Sequence, residues 1–214
     1  MTIDLNTLPD SFAGTWTNEP SRHQLSIAVE HALVGTIRGR FADAEGELVV
    51  RPDLGDCRGM LLIDAASVHT GPPAQDQWLR SPAFLDTNAY RYIWFHTTRV
   101  LADPDNRRDQ ILVTGELIIR AVARPIRAVV RLRSMRTTGD IARARLAGRV
   151  NLRRADFDLG TKHDTRRGAA LLGDRVIVDL EISAVRRLPS QAEAYRRMPS
   201  INHITKHQCH GDQS

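Results

Sequence analysis

Cysteine, lysine, aromatic residues and long hydrophobic runs are all scarce in this chain, and each shortage removes a class of protein. Cys57 and Cys209 are the two cysteines and lie far apart. They make neither a disulfide framework nor a CxxC redox pair. No apolar run approaches the ~20 residues of a membrane-spanning helix. Residues 1–11 carry no basic n-region and no apolar h-region, so the sequence predicts a cytoplasmic protein without a secretory leader. Catalytic signatures are missing too. There is no G-x-S-x-G elbow, no P-loop, no G-x-G-x-x-G and no HExxH. His23, His31, His69 and His96 are scattered, without the spacing of a catalytic metal site. No catalytic residue, metal or cofactor is therefore expected.

Lysine is nearly absent. Of 30 basic residues, Lys162 and Lys206 are the two lysines and the rest are arginine, within a net charge of +5. Arginines alternate at 127, 131, 133, 143, 145 and 149, a stripe that would track a phosphate backbone. Aromatics make up 5% of the chain and none interleaves with that stripe. A solvated strand face therefore explains the stripe better than a nucleic-acid interface does.

What the sequence has in quantity is period-two alternation. Strands are predicted at 12–17, 23–31, 38–50, 57–67, 90–101, 110–120, 125–135, 141–157 and 174–186. Leu25, Ile27 and Val29 share one face, as do Ile126, Ala128, Val130 and Leu132. Val176, Val178, Leu180 and Ile182 form a third such set. Ala74 to Arg80 makes about two helical turns, closed by Ser81-Pro82 because a residue before proline avoids the α region. About eight long strands at hairpin spacing fit a single up-and-down antiparallel barrel with a short helical insertion. The organisation expected is a lead-in at 1–11, a barrel at 12–187 and a tail at 188–214. In that tail Gln191–Arg197 forms a short helix, and the polar, His-rich end frays. His203, His207 and Cys209 would gather around a metal only if the tail were helical, and a plain polar end is the simpler reading.

An ordered set of short motifs adds to this. Gly14-Thr15-Trp16 is followed by His31 and Gly39-Arg40-Phe41. Ile63-Asp64-Ala65-Ala66-Ser67 leads to Thr70-Gly71. Asp76, Leu79-Arg80-Ser81, Phe84 and Asp86 come next. Thr114-Gly115-Glu116-Leu117 then leads to Arg120 and Arg124-Pro125. Arg154-Ala155-Asp156-Phe157 precedes Leu159-Gly160, and Gly173-Asp174 runs on to Glu181. Over residues 12–187 this order resembles the YceI-like, polyisoprenoid-binding family. The resemblance implies an all-β, lipocalin-like barrel of eight antiparallel strands around a long isoprenoid chain, and it raises a homodimer that no residue specifies. Departures are Tyr90-Arg91 where the family has Tyr-Pro, His69 where an Asp is common, and a bulkier Gln75–Trp78 helix.

On that basis Phe41, Leu62, Phe84, Phe95, Leu117, Ile119 and Val130 are the expected lining of an apolar cavity. Trp78 would plug the mouth or stack on a head group. Arg80 would meet a phosphate or quinone oxygen, or else hold its loop through Asp86 or Asp76. The function expected is non-enzymatic binding, carrying or sequestering of an isoprenoid or similar long apolar lipid, with transient contact at an anionic membrane surface. A hydrolase or isomerase in the same cavity is the alternative. It needs His96, His31 or Asp64 to point inward.

Overall fold

The computed structural model describes residues 12–31, 35–103, 105, 107–160 and 172–187. The expected lead-in at 1–11 and the expected tail helix with its His-rich end lie outside the described residues.

Among the described residues, ten strands and one α-helix follow in order. They are β1 (Gly14–His31), β2 (Gly35–Phe41), β3 (Ala44–Val50), β4 (Arg58–Asp64), β5 (Val68–His69), α1 (Pro73–Arg80), β6 (Tyr92–Ala102), β7 (Gln110–Ile119), β8 (Val122–Thr138), β9 (Ile141–Arg153) and β10 (Leu172–Arg187). Every pairing is antiparallel, and β10 closes the sheet on β1. β2 and β3 both pair with β1 and together act as one bent stave. β4 and β5 form the matching bent stave beside them, through β3–β4 and β2–β5. Eight staves therefore complete the barrel, which closes where β10 pairs back onto β1.

The sequence pattern and the ladder agree in most places and differ instructively in a few. The expected strands at 12–17 and 23–31 are one strand, β1, whose register with β10 jumps between Asn18 and His23. Beside the gap the Asn18 amide donates to the Ala44 carbonyl (2.8 Å) and accepts from the Gly46 N–H (2.7 Å). The expected strand at 38–50 bends at Ala42-Asp43 to give β2 and β3. The expected strand at 57–67 ends at Asp64, whose side chain accepts from Ala66 N (2.9 Å) and starts a 3₁₀ turn.

β7 and β8 join through Arg120 and Ala121, with φ of 50° and 63°. Two left-handed residues match the twist of a tight hairpin, here without glycine. β8 thus starts at Val122, and Pro125 lies within it. Pro125 is tolerated because β8 pairs there with β7 alone, so its other side needs no N–H. β9 ends at Arg153, and residues 154–157 form a 3₁₀ turn rather than more strand.

Helix α1 begins with Pro73 at its first position, where the lost N–H was unpaired anyway. Ser81 ends it in extended conformation before Pro82. Among the described residues no helix is long and apolar enough to cross a membrane. Two groups of buried residues form inside the barrel, one toward α1 and one around Trp16.

Candidate functional site: a capped apolar tunnel

Inward-facing residues do not fill the barrel. Two cavities of about 210 and 200 Å³ lie end to end inside it. They share Leu61, Phe95, Val113, Val130, Gly148 and Leu180, which form a waist. Phe95 narrows that waist. A Cβ placed on Gly115 would come within 2.3 Å of the Phe95 ring, so the ring occupies space that only glycine leaves open. Gly148 faces the waist from β9 and leaves room there.

The first chamber lies under α1. Its wall is built by alternation: Leu25, Ile27 and Val29 from β1, Leu117 and Ile119 from β7, Val176 and Val178 from β10. Separate short elements close its end. Trp78 of α1 packs on Phe84 with ring centroids 5.1 Å apart, and Leu79 and Leu85 are buried beside them. Phe157 and Leu159, from and just after the 3₁₀ turn, complete the cap and are also buried.

Polar latches hold these caps. Asp76 on α1 is buried and accepts from Thr70 N (2.6 Å), Thr70 Oγ1 (2.7 Å) and His69 Nδ1 (2.8 Å). The Thr70 hydroxyl above all keeps this carboxyl below its ordinary value, against the opposing effect of burial. Arg80 donates from its terminal nitrogen to the Val68 carbonyl (2.7 Å). Arg120 donates to the Phe84 carbonyl (3.0 Å), tying the β7–β8 turn to the cap. Arg154 donates to the carbonyls of Gly173 (3.2 Å), Gly160 (3.0 Å), Leu172 (3.1 Å) and Leu159. Burial pulls its guanidinium below the usual arginine value. Arg153 and Arg154 reach this chamber, as do Thr70 and Gln75, so polar groups meet the tunnel at its capped end.

The second chamber ends differently. Trp16 is 3% exposed, donates from Nε1 to the Phe12 carbonyl (2.9 Å), and carries the Arg186 guanidinium 5.4 Å from its ring centre. Cys57 is buried there, and its sulfur accepts from Arg51 N (3.3 Å). Small residues, Ala144 and Ala184, pack around the indole.

The expected site residues separate cleanly. Phe41, Trp78, Phe84, Phe95, Leu117, Ile119 and Val130 all line the tunnel. Leu62 does not. Gly59, Leu61 and Ile63 are the inward residues of β4, and Leu62 points outward beside Trp94, its cross-strand partner. Four consecutive apolar residues, Met60 to Ile63, hide the phase of the alternation. Arg80 is absent from the tunnel wall and pairs with neither Asp76 nor Asp86; the Val68 carbonyl takes its place as partner. His96 lies outside, 3.5 Å from Glu116. Asp64 caps a turn near Arg91 (3.7 Å). His31 ends β1 and is not part of either chamber wall. No three His, Cys, Asp or Glu side chains are grouped to hold a metal among the described residues. Leu61 and Ile63 were readable from alternation once its phase was known. Arg154, with carbonyl partners alone, leaves no motif in a sequence.

Closed strand order, short helix and apolar interior together define a lipocalin-like up-and-down barrel. A YceI-like domain model matches residues 16–184. The chain belongs to the YceI-like family. No curated protein matches it significantly. Among solved structures, Burkholderia cenocepacia BcnA is similar, with a TM-score of 0.65 at 18% identity, over 79% of this chain and 99% of that one. A polyisoprenoid binding domain from Saccharophagus degradans, implicated in plant cell wall breakdown, gives 0.60 at 18% identity over 81% and 98%. The Campylobacter jejuni YceI protein gives 0.60 at 20% over 73% and 89%. At these identities the likeness is one of fold.

Proposed function

We propose that the protein binds and carries an isoprenoid or similar long apolar lipid inside the barrel, without catalysing a reaction on it. The observation that carries this reading is the tunnel itself: two apolar chambers in line, with polar groups gathered at the capped end. Phe41, Trp78, Phe84, Phe95, Leu117, Ile119 and Val130 would contact the chain. Each buried methylene contributes about 0.8 kcal/mol, so a slender branched hydrocarbon gains affinity along its length. Its polar head would rest at the capped end near Gln75, Arg153 and Arg154 rather than on Arg80. Membership of the YceI-like family, and a polyisoprenoid binding domain among the structural neighbours, support the ligand class. A hydrolase or isomerase would need titratable groups facing the substrate, and His96 and Asp64 stand outside.

Native mass spectrometry of freshly purified protein tests the reading. A co-purifying lipid, or uptake of an added polyprenyl phosphate or quinone, is expected. Absence of both would sink it.

A further inference from the structure

The β8–β9 ladder is unfinished. Its register runs from Thr138–Ile141 to Val129–Arg149 and stops. Beyond that point Val122–Ala128 pairs with β7 alone, and Val150–Arg153 with β10 alone. The barrel wall therefore parts between β8 and β9, from the Val129–Arg149 pair toward the 3₁₀ turn. Ile126, Ala128, Val150 and Leu152 face the first chamber along the two sides of this seam, and all four stay half-buried.

Charge gathers around the same seam. Residues 122–153 hold nine arginines and one acid, Asp140, a net +8. The whole chain is +5, so everything else sums to −3. Arg149 and Arg153 find acids on the neighbouring β10, Asp179 and Asp174, and Arg143 reaches across it to Glu19 of β1. Arg127, Arg133, Arg136 and Arg145 stand exposed with no acid partner among the described residues. No aromatic side chain lies among them to stack a base. Val129 is 40% exposed in their midst, an apolar contact set among cations.

We propose that the arginine face of β8 and β9 docks on an anionic phospholipid bilayer and sets the open seam against it, so that an apolar chain passes sideways between membrane and tunnel. The passage rests on the carrier function; the docking does not. Each arginine near an anionic surface contributes about a fivefold gain in binding.

The test uses full-length protein and two vesicle types, phosphatidylcholine alone and an equal mixture with phosphatidylglycerol. Binding is expected to the mixture alone and to fall as salt rises. Changing Arg127, Arg133 and Arg136 together to Gln should weaken it about a hundredfold. Orientation is read by an environment-sensitive fluorophore on a single cysteine, with Cys57 buried and Cys209→Ser in the background. A label at Asn151→Cys, beside the seam, should report a drier environment on anionic vesicles. A label at Glu47→Cys, on β3, should not. No binding to the mixture, unchanged binding of the triple variant, equal response of the two labels, or tighter capture of single-stranded RNA than of vesicles would each overturn the proposal. A protein that docks in this orientation yet holds no lipid by mass spectrometry would sink the carrier reading and leave the docking surface standing.

Discussion

The two ends of the tunnel are closed by opposite means. At one end a large side chain on a strand, Trp16, fills the bore, and alanines make room for it. At the other end branched aliphatic residues leave the bore open, and α1 and a 3₁₀ turn cover it. The first closure is packing, which resists exchange because a void would replace it. The second is held by hydrogen bonds from Thr70, His69, Arg80 and Arg154, which water can substitute as the cap lifts. One end is a plug and the other a latched cover.

Breaking the plug should have the largest effect. Trp16→Ala is expected to lower stability by about 3–5 kcal/mol in urea denaturation. Lipid taken up under α1 should be retained in native mass spectra, since the first chamber does not use the indole. Loss of both together would show that the ends are not independent.

The waist comes next. Gly115→Ala places a Cβ 2.3 Å from the Phe95 ring and 2.4 Å from the His96 carbonyl. About 1–3 kcal/mol of destabilisation is expected. Adding Phe95→Leu should recover part of it, because the carbonyl clash remains. Full recovery would mean that the ring alone requires glycine there.

The latch should show itself through pH. The Asp76 carboxyl is held below its ordinary value of 3.8, so its stabilising effect is complete above that value. It is lost as pH falls through the lower folded value. Wild type should therefore be more stable than Asp76→Asn at neutral pH, and the gap should shrink below about pH 4. A gap that stays constant into acid would assign the difference to packing. Outside the tunnel the effect should be smallest: Leu62→Gln is expected within about 0.5 kcal/mol of wild type in urea. Ile63→Gln, its inward neighbour, should be strongly destabilised.

These contrasts also explain what was legible in advance. Alternation identified the inward faces of β8, β9 and β10, because outward polar residues mark the phase, arginines on β8 and β9 and Arg175, Asp179 and Glu181 on β10. It failed at Leu62, where no polar residue between Met60 and Ile63 sets the phase. The β7–β8 turn, expected between 120 and 125, is tighter than that because Arg120 and Ala121 adopt a conformation usually read from Asn-Gly. The short apolar-polar helix was visible through its prolines at both ends. The latches were not. Arg80, Arg120 and Arg154 all bond main-chain carbonyls, whose positions exist once the chain has folded and cannot be inferred from neighbouring side chains.

On the carrier reading proposed above, the Phe95 ring over Gly115 would make the tunnel a ruler. A hydrocarbon short enough for one chamber would end against the ring without displacing it. A longer one must swing it aside, exchanging a settled contact for new ones before the second chamber begins to reward further carbons. Plotted against chain length, affinity should therefore climb, halt at the ring, and climb again. The length at the halt measures the first chamber in isoprene units.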